Sequence, residues 1–233
     1  MALSPARLHM ERVRAAQAAS GTGFGELMPE TGIVGQLMLQ LAQDRARLKQ
    51  IQSTEGKVAL KTELVAAYEP YVDGVLEAGQ GAEDPIIAEM LIWHLDIGQY
   101  PRALQIADYV LGHSMPMPDR FARTPGCLVA EEIAEAALTA QRLGNAFDLA
   151  LLSHTADLTE NHDMPDQVRA KLHLAAGRAL LAGINDSPPT GDQLGDAVSH
   201  FKRAIELHPA CGGKKDLERA QRELKKSASP KAG

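Results

Sequence analysis

The chain has 233 residues, of which 4% are aromatic and 23% charged, and carries a formal net charge of −6. That length buries a substantial core as one elongated domain or two small ones, and the net acidity excludes a uniformly basic coat for nucleic acid. Scarce aromatics beside abundant Ala and Leu favour helix-on-helix packing over a sheet, so composition reads as all-α.

Ser4 and Pro5 form an N-cap and first-turn pair, and the apolar positions after them carry a helix to about Ala19. Four glycines and a proline between Ser20 and Gly32 predict a flexible linker over 21–32 that detaches a basic N-terminal helix, residues 1–20, from the body. From Ile33 to about Thr54, Val34, Leu37, Met38, Leu41, Leu48 and Ile51 fall near one helical face. A second helix, from about Lys57 through Glu69, folds back across Gly56, and Pro70 restarts the chain for Tyr71 to Ala78. Residues 33–79 therefore read as a long helical hairpin, whose apolar stripe serves either the chain's own core or the interface of a homo-oligomer.

Beyond Gly79 and Gly81 the pattern becomes one of punctuated helix pairs. Asp84 with Pro85 opens a helix to Ile97, and Pro101 opens another to Leu111. Val129 to Leu143 pairs with Ala146 to Thr159, and Val168 to Leu181 with Leu194 to Leu207. A last helix runs from about Lys214 to Lys226, before a tail over 227–233. Ala175, Ala179, Leu180, Ala197, Phe201, Ala204, Ile205 and Pro209 resemble a tetratricopeptide repeat, so residues 80–226 are expected to form a helical-repeat-like domain.

Catalytic patterns are sparse. No G-x-x-x-x-G-K-[ST] loop is present, so ATP hydrolysis is not expected of this chain. Cys127 and Cys211 match no metal or redox spacing, which points to free thiols in a reducing compartment. The first residues lack the apolar core of a signal peptide, and no apolar run reaches the roughly 18 residues of a spanning helix, so a soluble intracellular protein without a membrane partner is expected. His94 near Asp96 and His162 near Asp163 offer metal-ligand chemistry, but no two histidines share the i, i+4 spacing of one helix face. A two-metal nuclease needs several converging carboxylates, and Glu131, Glu132 and Glu135 do cluster on one helix, but glutamates in a helical turn are usually a solvated face favoured by the helix dipole. The E-x-K triplets Glu55 to Lys57 and Glu223 to Lys225 fall in helical context, where a nuclease signature needs a strand. No catalytic residue, metal ligand or cofactor is assigned, with Mg²⁺ required only if the chain cuts DNA itself.

Charge is unevenly spread. Residues 1–20 hold three arginines against Glu11, residues 202–233 hold nine Lys or Arg against four acids, and the middle carries the balance of −13. An acidic body with basic ends can touch phosphate at chosen places and repel it elsewhere, or can simply be a solvated surface with basic termini. Arg7 and Arg14 lie two turns apart on one side of the first helix with Arg12 flanking, which suits a phosphate ladder. Arg120 and Arg123 bracket Phe121 in a proline-bounded loop, and a basic pair around an aromatic grips a backbone or stacks on a base. Lys214, Lys215, Arg219 and Arg222 begin the densest basic run.

Several blocks in order, SPARLHMERVRAAQAA at 4–19, LAQDRARLKQI at 41–51, YVDGVLEAGQGAEDPI at 71–86, the stretch from Met90 to Leu138, and MPDQVRAKLH at 164–173, resemble the small terminase subunit of Peduovirus-type temperate tailed phages. The resemblance implies a subunit that recognises the cohesive-end site of concatemeric double-stranded viral DNA. It also implies a large ATPase-nuclease partner that cuts and packages the genome in the cytoplasm of the bacterial host, and self-association as a homo-oligomer, of which a ring is one form. Such subunits are often labelled the endonuclease subunit of terminase, although the nuclease centre of terminases generally belongs to the large subunit. The chain departs from the small terminases that open with a helix-turn-helix, because a glycine-rich stretch follows its first helix. A metal-dependent endonuclease and a purely protein-binding scaffold are the alternatives.

Overall fold

The structure is a computed structural model that describes residues 4–30, 32–117, 123–183 and 187–228. Among these the regular elements are eleven α-helices and one 3-10 turn, with no strand, which makes the protein all-α. The chain divides into two compact units, residues 1–125 and 126–233.

The first unit holds α1 (Pro5–Ser20), α2 (Gly32–Gln50), α3 (Thr54–Leu64), a 3-10 turn (Val65–Ala67), α4 (Glu69–Ala78), α5 (Pro85–Asp96) and α6 (Tyr100–Gly112). Ser4, Ser53 and Asp84 cap α1, α3 and α5 by accepting first-turn backbone N–H groups. At the centre lies α5, buried on every side from Ile86 to Leu95 and apolar there except for Glu89 and His94. Its polar groups are all answered: Glu89 accepts from Arg45 and from Trp93 Nε1, and His94 pairs with Glu69 and Gln99. Trp93 also meets Tyr68 edge to face, and Tyr68 donates its hydroxyl to Asp44 at 2.8 Å. Burial and the neighbouring Asp44 carboxylate push the Tyr68 phenol up. Burial works against the charge on Glu69, yet His94 and Arg102 outweigh it and hold that carboxyl below its ordinary range.

Three expectations change here. The segment 21–30 is packed rather than a flexible linker, since Gly25 N–H donates to Gly81 O, Glu83 N–H to Glu26 O and Met28 N–H to Glu83 O, with Met28 buried beneath. The close approach falls at Gly81, opposite this segment, where a Cβ would lie 2.3 Å from the His113 ring. The first helix is not detached. It lies along α4, where a Cβ at Gly74 would stand 2.3 Å from Arg12 O and 2.8 Å from Ala15 Cβ, and Ala15 and Ala19 are fully buried. Residues 33–79 do not close as a separate long hairpin, because α4 packs along α1 while α2 reaches α1, α3 and α5. With α5 as the shared core, elements on both sides of Gly79 belong to one unit, and the break falls at 125 instead.

The second unit holds α7 (Pro125–Arg142), α8 (Leu149–Leu158), α9 (Asp166–Ala182), α10 (Gly191–Leu207) and α11 (Lys214–Ala228). Asp148 caps α8, and Thr190 with Gln193 forms a capping box at α10. The α9 and α10 helices lie against each other so closely that a Cβ at Gly177 would sit 2.7 Å from the Phe201 ring. Phe201, Leu180, Leu181, Leu194, Ala197, Ala204 and Ala220 form the core there.

Candidate nucleic-acid interface

The last helix shows how a basic run becomes a directed surface. Ala220 is fully buried, and Leu217 and Leu224 pack against the Phe201 core, which fixes one face of α11 inward. At 3.6 residues per turn, Lys215, Arg219, Arg222 and Lys226 then project from the opposite face at spacings of four, three and four, a row about 16 Å long. Lys214 flanks its start. Lys214, Lys215, Arg219 and Arg222 are exposed, and none of the four forms an ion pair among the described residues. Lys226 pairs with Glu223 at 2.8 Å, and that bond holds the Glu223 carboxyl below its ordinary range. Exposed cations in a row suit the regular phosphates of a DNA strand, whose condensed counterions they release into solution.

The N-terminal arginines are mostly occupied. Arg7 gives Nε to Glu11 at 3.1 Å, and Arg12 binds both carboxylate oxygens of Glu77 on α4. Arg14 is exposed without an ion pair among the described residues. Arg123 has a partner within the chain, and Arg120 lies outside the described residues.

The apolar stripe of α2 faces inward. Val34, Leu37, Leu41 and Leu48 are buried within the chain and present no surface to a second copy, whereas Met38 and Ile51 are half-buried. The carboxylate candidates also have local partners. His94 is buried against Glu69 rather than Asp96, which pairs with Lys61. Glu131 is buried rather than solvated, and Lys171 of α9 lies 3.7 Å from it and 2.6 Å from Glu135. No group of three or more His, Cys, Asp or Glu placed to hold a metal ion lies among the described residues. Likewise, no described helix is long and apolar enough to cross a membrane.

Two arginines carry no signal in the sequence beyond lying on predicted helices. Arg142 ends α7 and Arg178 lies on α9, 36 positions later, yet the fold brings both to the start of α11, where Arg178 Nε meets Asp216 at 2.8 Å.

The comparisons with known proteins converge. A family model described as phage small terminase subunit matches residues 38–167, more than half of the chain. The terminase endonuclease subunit of Escherichia phage P2 is 42% identical over 227 residues, covering 97% of this chain and 88% of that protein. The chain belongs to the phage small terminase subunit family. As a small terminase subunit it has a part in DNA packaging. No solved structure matches it. The matched span of this small terminase subunit ends before α10 and α11, so its exposed cationic row lies outside the span that the family model matches.

Proposed function

We propose that this small terminase subunit recognises the cohesive-end site of concatemeric phage DNA in the host cytoplasm and delivers it to a large ATPase-nuclease subunit. The observation that carries the reading is the row of exposed cations on α11, of which Lys215, Arg219 and Arg222 form no ion pair among the described residues, borne by a chain whose net charge is −6. An acidic body repels DNA except where such a row lies, which gives one defined contact instead of diffuse coating. The chain has no phosphate-binding loop for ATP, so the motor and its hydrolysis belong to the partner. Self-association, as a ring or otherwise, then uses surfaces other than Val34, Leu37, Leu41 and Leu48. Fluorescence anisotropy with a cohesive-end duplex and a random duplex tests the reading: a preference for the cohesive end supports it, and equal affinity at every salt concentration refutes it. Light scattering at micromolar concentration tests self-association, which a monomer would contradict.

A second reading, in which the chain itself cuts DNA with Mg²⁺, has two supports. The P2 relative is named an endonuclease subunit, and Glu131 and Glu135 meet Lys171. Mg²⁺-dependent nicking by the purified subunit, lost in Glu135→Gln, would establish it, and absence of nicking at high enzyme concentration would dismiss it.

A further inference from the structure

The end of α7, the turn after it, the end of α9 and the start of α11 enclose a groove of about 540 Å³. Its walls include Arg142, Asn145, Arg178, Asp216 and Arg219, over an apolar floor at Leu181. Three arginines and one carboxylate line it, and of the three only Arg178 meets Asp216. Arg178 gives only Nε to Asp216, so both of its terminal nitrogens lack an acceptor among the described residues. Arg142 gives a single nitrogen to Thr139 Oγ1 at 3.0 Å, and Arg219 forms no ion pair among the described residues. Guanidinium forks on a concave surface match the oxygens of a phosphate, which takes paired N–H donors better than any flat array of lysines supplies them. The volume admits a phosphate with its attached sugar and excludes a duplex. Arg219 belongs to this groove and to the outward row of α11 at once, so a strand lying along α11 presents a phosphate at the groove's mouth.

We infer that this groove seats one phosphate group of a DNA strand, held by Arg142, Arg178 and Arg219, with Asp216 as the resident carboxylate that the phosphate displaces. The strand that delivers the phosphate rests on the DNA-contact reading of α11; the anion seat is a property of the groove itself. Removing Asp216 therefore strengthens binding, an effect that damage to the fold does not produce.

The test uses the full-length protein with three probes: inorganic phosphate, deoxyadenosine monophosphate and a labelled cohesive-end duplex. Arginine side-chain Nε–H resonances report the first two, and anisotropy across a salt series reports the third. Inorganic phosphate is expected to shift the Arg178 Nε–H signal. Arg142→Gln and Arg178→Gln are each expected to weaken duplex binding about threefold to tenfold and to lower the salt slope by about one. Asp216→Asn is expected to tighten both phosphate and duplex binding about threefold. The seat is overturned if Arg142→Gln, with an unchanged thermal melt, leaves all three probes unaffected, or if Asp216→Asn weakens them. If both small probes bind at Arg178 but duplex affinity ignores Arg142→Gln and Arg178→Gln, the groove takes a free nucleotide and the DNA source is overturned. Loss of duplex binding in Lys215→Gln/Arg222→Gln, with no effect of the groove variants, keeps the α11 reading and discards the seat; the opposite pattern keeps the seat and discards the α11 row.

Discussion

Ala15 on α1 crosses Gly74 on α4 at a separation that leaves no room for a second Cβ, and Arg12 clasps Glu77 one turn along the same contact. The helix that carries most of the N-terminal charge is thereby part of the first unit's core packing. Gly74→Val is expected to cost about 2–4 kcal/mol, because the added carbons must displace backbone as well as a side chain. A denaturant melt measures it. Arg12→Ala, which breaks only an exposed pair, is expected to move the same midpoint far less.

Asp84 joins two functions in one buried carboxylate. Its Oδ1 accepts the backbone N–H groups of Ile86 and Ile87 to cap α5, and its Oδ2 accepts the Tyr71 hydroxyl at 2.5 Å. Asp84→Ala is expected to destabilise the first unit by about 2–3 kcal/mol, combining a lost cap with a buried hydroxyl left without an acceptor. Tyr71→Phe removes only the donor, and its loss in a thermal melt is expected to be about half as large.

His173 and His200 place their Nδ1 atoms 3.0 Å apart between α9 and α10. Burial lowers both, and for His173 the neighbouring His200, Arg169 and Arg203 add to the effect, bringing it down to about 4, while Asp196 pulls His200 the other way. The unfolded chain thus binds protons at these positions more readily than the folded one. The stability they contribute is complete above the unfolded value of about 6.5 and is lost as pH falls towards 4. Melts of the wild type from pH 7 to pH 4 are expected to show that loss, and His173→Gln to flatten it.

The arginines and lysines at the two ends differ in what removing them does to DNA binding. Arg7 and Arg12 already spend their charge on Glu11 and Glu77, whereas Arg14, Lys215, Arg219 and Arg222 do not. Each of Lys215→Gln and Arg222→Gln is expected to lower the salt slope of DNA affinity by about one, and Arg7→Gln by less. Anisotropy from low to moderate salt separates them.

Local signals marked most helix ends correctly in kind. Ser4 with Pro5, Asp84 with Pro85 and Gly79 all stand where caps and breaks occur, because capping is a matter of a few adjacent residues. Partner choice was not legible in the same way. Glycines at 21–32 read as slack, yet Gly25 and Gly81 are spent on a backbone crossing with its own hydrogen bond. The stripe from Val34 to Leu48 has the same spacing whether its partner is another part of the chain or another copy, so only the fold turns it inward. The basic run at 214–226 was visible as charge, and its outward direction required knowing that Leu217, Ala220 and Leu224 face Phe201. Arg142 and Arg178 escaped altogether, since nothing in either neighbourhood reveals that α11 will pass beside both.

Binding of a cohesive-end duplex by the full-length protein, with and without Lys214→Gln/Lys215→Gln/Arg219→Gln/Arg222→Gln, tests the account most directly. The wild type is expected to prefer the cohesive end over random duplex with a steep salt dependence, and the quadruple variant to lose most of its affinity and about three to four units of that slope while melting as the wild type does. Unchanged affinity in a folded quadruple variant would contradict it.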